Sequence, residues 1–518
     1  MKKNKKLLII VAACAVVLVG VLLTLLLWPQ ETEDLSDTID TGTPITTSVD
    51  EDGVHQAKPE LNEKGELDNN SYGTLINYVP SQISTIKIEN LSGSYEIKST
   101  TPTTTDEDGN TTTEATVYTL VGFEDFELQA GQADSIASNA ASLDFTSVAS
   151  IDGANEKNFG FENPRATATV TYTDDTTAVI IVGDKAPMEA GTYVKFGSGS
   201  SIYLVADDSI SALLFSVNDL ISLTINDAAD SDDNATPTKV TLSGTNYPKE
   251  VEFVQNTDDS NSAQYIIQKP ETLFADDNKT SLITGAIRGL YADSVAYANP
   301  SDKQISDCGL NKPFAHIVGE YPDETFDLIA SELDSEGNVF IMKKGGNVIY
   351  KMASTKVPWT TLKYEDLISA YVLNPTFTAI TSMTLNDGKN DYKFDLTTET
   401  STSTDNEGSE TTTQTTTVKY GSVIVSQDNF NIFFQNVAYT ERADKTASSP
   451  SDSPVLTVTY TYSTKNDTNT VSFYKSGSGK YIATLNGKAV GTVYESRIKS
   501  IIKQASKVAK DETVDTLS

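Results

Sequence analysis

The sequence predicts an α+β protein: an N-terminal transmembrane helix, then tandem α+β modules of antiparallel β-sheet with flanking helices. Three observations predict it. Leu7 to Trp28 is an almost unbroken apolar run of about the ~20 residues needed to cross a hydrocarbon core. From Ile83 onward, short runs with period-two alternation are separated by turn residues, as half-buried antiparallel strands are. The order of those runs then recurs twice, which marks a repeated module.

At 518 residues the chain is long enough for several domains. Lys and Arg total 38 against 72 Asp and Glu, a formal charge of -34. That balance argues against nucleic acid or an anionic lipid surface as the main partner, and no nucleic-acid partner is expected. Of the two cysteines, Cys14 lies in the apolar run, so the body of the chain has no intrachain disulfide framework. Cys308 has no neighbouring base to activate it and reads as a packed small apolar residue.

Residues 1–6 are predicted as a cytoplasmic tail and 7–28 as the transmembrane helix. The tail carries four lysines, whereas Glu31, Glu33, Asp34, Asp37 and Asp40 follow the apolar run. The positive-inside rule then places the N-terminus in the cytoplasm and the bulk of the chain outside a bacterial cell membrane. No small-residue cleavage site precedes Pro29, which favours an uncleaved anchor. Val11-Ala12-Ala13-Cys14 is similar to a lipoprotein box, but Ala15 to Trp28 stays apolar where a lipoprotein would turn polar. Residues 29–75 read as an acidic disordered tether, with His55 a solvated residue within it.

Three modules follow, at 76–217, 218–372 and, more divergent, 373–512. Each starts with a predicted hairpin: Ser84 to Ser99 around Gly93, Thr238 to Val254 around Gly244, and Thr381 to Leu396 around Gly388. Polar insertions come next, at Thr100 to Thr116, Asn256 to Ala263 and Thr397 to Thr417, and the Thr-rich ones are expected to be mobile. Strands are then predicted at Val117 to Val121, Gln264 to Gln268 and Val418 to Ile424. Apolar residues at helical spacing follow: Ile136, Ala140, Leu143 and Val148, then Leu282, Ile283, Ile287, Leu290, Tyr291 and Val295. The corresponding signal over Asn429 to Tyr439 is weaker.

Gly160-Phe161-Glu162-Asn163-Pro164 leads into the strand Ala166 to Tyr172. Gly309-Leu310-Asn311-Lys312-Pro313 leads likewise into Ala315 to Tyr321, and Pro454 into Leu456 to Tyr462. Glycine and proline at these offsets set a turn into a strand. Paired strands close each copy: Tyr193 to Phe196 with Ile202 to Val205, Val339 to Met342 with Val348 to Lys351, and Tyr481 to Thr484 with Ala489 to Tyr494. Terminal helices are predicted near Asp207 to Phe215, Thr360 to Ala370 and Glu495 to Lys510; the last is basic and amphipathic and is expected to pack on a core.

At these residues the chain resembles the bacterial family known as domain of unknown function 4340. Its features are a Gly-Leu-x-x-Pro lead-in, a Val-Gly-Asp turn and a Tyr-Val...Val-Tyr hairpin. They stand here at Gly160 to Pro164, Val182-Gly183-Asp184, and Tyr193-Val194 with Ile202-Tyr203. The resemblance extends over about Ile83 to Lys510; the second copy has Ala330-Ser331-Glu332 at the Val-Gly-Asp position, and the third lacks both features. The family is similar in architecture to extracytoplasmic partners of ABC-type transport systems, and it supplies no catalytic residues.

The residues themselves offer little chemistry. With two histidines in the chain, a histidine-rich metal site is nearly excluded. His316 stands where the first copy has Thr167, on a polar strand face. Ser476-Gly477-Ser478-Gly479-Lys480 is similar to a phosphate-binding loop, but Tyr474 occupies the first glycine position and Tyr481 the Ser/Thr position, so a hairpin turn is expected. Asp106 to Gly109 and Asp405 to Gly408 alternate acids before glycine as calcium loops do, without the bidentate glutamate. No residue is assigned a catalytic, cofactor-binding or metal-binding role, and no cofactor is expected. The leading expectation is a membrane-anchored, non-catalytic extracytoplasmic scaffold or accessory subunit of a cell-envelope or ABC-type transport assembly. Its partners would be the membrane, through the N-terminal helix, and an envelope or transporter protein. The alternatives are a wall-polymer or solute-binding module, and a carboxylate-dependent envelope hydrolase.

Overall fold

The structure is a computed structural model. It describes residues 47–49, 55–57 and 72–517, apart from 106–110, 152, 154, 231–234, 405–409, 464–466 and 478. The span 7–28 and Cys14 therefore lie outside the described residues, as do most of the acidic tether and both acidic loops. Among the described residues no helix is long and apolar enough to cross a membrane. By contacts the chain divides into two units, 1–125 with 131–216 and 126–130 with 217–518.

In the first unit, strands β1 (Thr47–Val49) and β2 (His55–Ala57) pair with each other, with His55 opposite Val49. The main sheet is built from β3 (Gly73–Asn77), β4 (Ile83–Asn90), β5 (Gly93–Thr100), β8 (Val117–Leu120), β9 (Ser142–Ser150), β10 (Ala166–Tyr172), β11 (Thr177–Lys185), β12 (Thr192–Phe196) and β13 (Ile202–Val205). Between β5 and β8 a small ribbon is formed by β6 (Thr103–Thr105) and β7 (Thr111–Thr113). The sheet begins at Gly73, inside the span read as tether, because Leu75 and Ile76 are buried on its edge.

The second unit holds two sheets. One contains β14 (Lys239–Ser243), β15 (Val251–Gln255), β16 (Tyr265–Lys269), β17 (Leu273–Phe274), β18 (Ser294–Ala298), β19 (Ala315–Glu320), β20 (Thr325–Ala330), β21 (Asn338–Lys343) and β22 (Val348–Ala353). The other contains β23 (Ile380–Asn386), β24 (Asp391–Thr404), β25 (Glu410–Tyr420), β26 (Val423–Val425), β27 (Leu456–Tyr462), β28 (Thr468–Lys475), β29 (Lys480–Leu485) and β30 (Lys488–Tyr494).

All three sheets are antiparallel and share one strand order. It runs β8-β5-β4-β10-β11-β12-β13-β9 in the first, β16-β15-β14-β19-β20-β21-β22-β18 in the second, and β25-β24-β23-β27-β28-β29-β30 in the third. The third lacks the last strand. In its place a single bridge joins Asp444 to Thr492 of β30, with Ala443 N donating to Thr492 O at 2.7 Å and Thr492 N to Asp444 O at 2.9 Å. The repeat seen in the sequence is thus a repeat of topology, down to the remnant of a strand.

Period-two alternation places one face of each sheet in a core. Ala166, Ala168, Val170 and Tyr172 are buried in β10, and Leu456, Val458, Tyr460 and Tyr462 in β27. In the first sheet the helix Gln132–Ala141 covers this face with Ile136, Ala137 and Ala140, and Tyr172 donates its hydroxyl proton to Ala140 O at 2.8 Å. In the third the helix Gln427–Ala438 does so with Phe430, Phe433 and Phe434, whose rings meet Phe394 and Tyr460. Each buried phenylalanine contributes roughly 1.5–3 kcal/mol.

Several elements differ from the sequence expectation. Leu143 and Val148 lie in strand β9 and Val295 in β18, so the first two helices end earlier than their apolar spacing suggests. The second is only Asp277–Thr284, whereas the third, with the weakest signal, is complete. Of the terminal helices only Glu495–Val508 forms at length; after β13 and β22 the chain makes 3-10 turns and the short helix Tyr364–Leu367. Its face of Ile498, Ile501, Ala505 and Val508 is buried and Lys499 and Lys503 are exposed. The third Thr-rich insertion, expected to be mobile, continues the β24–β25 ladder from Thr397↔Thr417 to Thr404↔Glu410. β-Branched threonine favours an extended backbone, and Thr398 and Thr416 hydroxyls meet across the ribbon at 2.9 Å.

The repeated lead-in is explained by close approach. Gly160 has φ +85° and Gly309 φ +73°, conformations that disfavour any side chain. A Cβ on Gly160 would lie 2.5 Å from Asp184 Cγ, and one on Gly183 would lie 2.2 Å from Phe159 O. Val182-Gly183-Asp184, expected as a turn, lies at the end of strand β11, where the pairing with β12 shifts between Val182 and Lys185, and this irregular end nests on the lead-in. At Gly309 the nearest atom, Ser331 Cβ, is 3.8 Å away, so the second copy tolerates serine where the first has Gly183.

Candidate functional site

His316 is not isolated on its strand face. Its Nδ1 lies 3.0 Å from Ser243 Oγ and its Nε2 2.6 Å from Asp327 Oδ1; Lys344 Nζ is 3.8 Å from Asp327 Oδ2. The row crosses β14, β19 and β20, where Ser243 pairs with His316 and Asp327 with Val318. The sequence reading missed Ser243 and Asp327 because the first pairing is set by a register between residues far apart in the chain, and no local motif contains it.

This row has the residue types of a nucleophilic triad but not its arrangement. A serine activated by histidine needs backbone donors aimed at an oxyanion beside its oxygen. These residues sit on interior strands of an antiparallel ladder, whose amides are engaged with neighbouring strands. None of the three lines the crevice or the groove described below. At the same register positions the first copy has Glu89, Thr167 and Val179, and the third Asn386, Thr457 and Thr470. The row is peculiar to the second copy, and its physical effect is a cross-strand polar lock that fixes register.

Cys308 packs with Leu310, Ile329, Met342 and Ile349 in an apolar cluster. Burial, followed by the charge of Asp307, pushes its thiol pKa up, the opposite of what a nucleophile needs. The cluster borders a shallow crevice of about 310 Å³ that also contacts Lys312 and Ser331. β28 and β29 pair as a hairpin on either side of the stretch Ser476 to Lys480: Ser476 Oγ donates to Lys480 O at 2.6 Å, and Lys480 Nζ pairs with Asp444 at 2.7 Å. Among the described residues, no three His, Cys, Asp or Glu side chains converge as metal ligands do.

A groove of about 550 Å³ lies at the end of the third sheet. It is framed by the C-terminal end of the helix Gln427–Ala438, the N-terminal turn of the helix Glu495–Val508, and Thr516 and Leu517. Arg497 forms its floor. The guanidinium donates through Nη1 to Leu517 O and through Nη2 to Asn436 O, both at 2.7 Å, and burial lowers its pKa despite Glu441 nearby. Asn436 ties the same segments together, its Nδ2 donating to Gln504 Oε1 and Asp515 O at 2.8 Å. Two tyrosines stand at the groove, Tyr439 (44% exposed) and Tyr494 (59% exposed). No sequence motif marks any of these residues. The one signal available was a pair of tyrosines, each at the boundary of a predicted helix.

A second polar cluster joins the two sheets of this unit. Arg442 Nη1 donates to Ser369 O at 2.6 Å, and Lys445 Nζ to Glu365 O and Ile368 O. Arg442 is buried, and its Nε and Nη2 have no hydrogen-bond partner among the described residues. Burial brings its pKa down to about 10. These contacts clamp residues 440–445 to residues 365–372, which explains why both sheets fall in one unit.

In comparison with known proteins, residues 119–313 match the family model described as Domain of unknown function (DUF4340). The matched span holds the lead-in, Val182-Gly183-Asp184 and the closing hairpin of the first copy, and it ends at Pro313 of the second lead-in. No curated protein and no solved structure matches the chain.

Proposed function

From the match of residues 119–313 to the DUF4340 family model, we propose that the chain is a membrane-anchored extracytoplasmic scaffold or accessory subunit of a cell-envelope or ABC-type transport assembly. One observation carries the reading. The sheet occurs three times with its strand order preserved, while among the described residues the Ser243–His316–Asp327 row stands in the second copy alone. What recurs is a supporting framework with one face of each sheet in a core, suited to recognition through edges and loops. The apolar run 7–28 supplies the anchor and the acidic stretch after it the reach. Crosslinking in cells followed by co-purification tests this, with a variant lacking residues 1–28 as control. Recovery of an envelope or transporter protein by the full chain and its loss in the variant are expected. Recovery of no such partner would overturn the reading.

A second reading, a solute- or wall-polymer-binding module, is favoured by the groove around Arg497. Its volume lies within the usual range for small-molecule sites.

A further inference from the structure

We infer that the groove at the end of the third sheet is a binding site for a neutral saccharide; this deepens the second reading above. Charge narrows the choice of ligand first. Glu441 and Arg497 are the ionised side chains of the lining, and they cancel. An anionic ligand would meet Glu441 and a chain carrying -34 charges, while the Arg497 Nη atoms already donate to backbone carbonyls. A cationic ligand would meet the fixed guanidinium. An aliphatic ligand would strip water from the hydroxyls of Ser496, Ser500 and Thr516 without replacing their hydrogen bonds.

What fits is a molecule with many hydroxyls and also apolar C–H faces. Tyr439 and Tyr494 supply the complementary surfaces. Tyr439 is backed by Tyr371, with ring centroids 5.2 Å apart, and Lys480 Nζ lies 5.9 Å from the Tyr494 ring centre. Each ring is thus held from one side while remaining solvent-exposed, as a stacking platform for a pyranose face requires. The Glu441 carboxylate is an acceptor for sugar hydroxyls, and the Gln435 amide both donates and accepts. Positioning is built in, because Arg497 and Asn436 lock the floor to two helices and the terminal segment.

The test uses the full chain in detergent, with neutral oligosaccharides of N-acetylglucosamine and of glucose as probes. Binding is read by isothermal titration calorimetry and by tyrosine fluorescence. Saturable binding of at least one probe is expected, weakened tenfold or more in Tyr494→Ala and in Tyr439→Ala and unchanged in Tyr297→Ala, a comparably exposed tyrosine elsewhere in the same unit. A polyglucuronate probe should not bind. Thermal unfolding of each variant separates lost binding from lost folding. Absence of saturation by either neutral probe, binding indifferent to both tyrosines, or preferential binding of polyglucuronate overturns the proposal. Recovery of envelope partners by crosslinking alongside such a failure leaves the accessory reading standing and removes this one.

Discussion

Replacing Gly160 by alanine probes the contact that holds the repeated lead-in against the end of β11. Two costs combine there. A Cβ at φ +85° meets its own backbone, costing roughly 1–2 kcal/mol. The same Cβ falls 2.5 Å from Asp184 Cγ and 2.6 Å from Asp184 N, so the end of β11 must move, an overpacking cost of roughly 1–3 kcal/mol. The sum is about 2–5 kcal/mol. Gly309→Ala bears the first cost alone, since Ser331 Cβ is 3.8 Å away. Hydrogen exchange measured by mass spectrometry suits the comparison, because it reads β10–β11 and β19–β20 separately in one chain. Exchange in β10–β11 of the Gly160 variant should quicken by about tenfold or more beyond the change in β19–β20 of the Gly309 variant, at about 1.4 kcal/mol per decade. Equal effects at both glycines would refute the nesting argument and leave only backbone conformation.

Further outcomes follow from other residues. Burial pushes the hydroxyls of Tyr350, Tyr364 and Tyr462 up to about 12 and raises those of Tyr172, Tyr247, Tyr321 and Tyr460. Their folded pKa values exceed the unfolded value of 10.0, so this stabilisation is complete below pH 10 and is lost as pH rises through about 12. For Tyr462 the loss reaches roughly 2–3 kcal/mol; tyrosinate absorbance should therefore rise cooperatively with loss of circular dichroism, and a gradual rise with the sheet signal intact would contradict it. His316→Ala should cost about 1 kcal/mol in urea unfolding followed by the fluorescence of buried Trp359, and Asp327→Asn less, because an acceptor oxygen remains. Arg442→Met should unfold within about 1 kcal/mol of the parent, since it removes a buried charge with two unpartnered nitrogens, whereas Arg442→Ala should lose about 2–4 kcal/mol to the cavity. A methionine variant as damaged as the alanine one would show that the charge itself holds the two sheets together.

The repeat was legible because alternation and turn residues are local: Ala166 to Tyr172 and Leu456 to Tyr462 alternate in sequence as they do in burial. Helix length was not, because apolar spacing of three or four continues by coincidence into β9, where Leu143 and Phe145 face the core at a spacing of two. The threonine arm was misjudged by polarity, whereas the β-branching of the same residues favours the paired form that β24 and β25 adopt. Asp444 could not be recognised as the remnant of a strand until Thr492 was known to lie beside it. The Ser243–His316–Asp327 row and the Arg497 groove share that difficulty, since both depend on segments brought together by tertiary register and helix packing.

The shared strand order also dictates a sequence of folding events. In every copy the sheet is joined at its middle by a pairing between residues roughly seventy positions apart, Asn90 with Ala166, Ser243 with His316, and Asn386 with Thr457. The hairpins on either side of that seam need only near neighbours and can form early, whereas the seam must await most of the copy. A ribosome releasing this chain would hold the half-sheet that ends at β4, β14 or β23 with that strand's edge unpaired until β10, β19 or β27 emerges. Pauses in synthesis within 91–165, 244–315 or 387–456 would lengthen the lifetime of those edges, and it is there that the chain is most exposed to mispairing between its own copies.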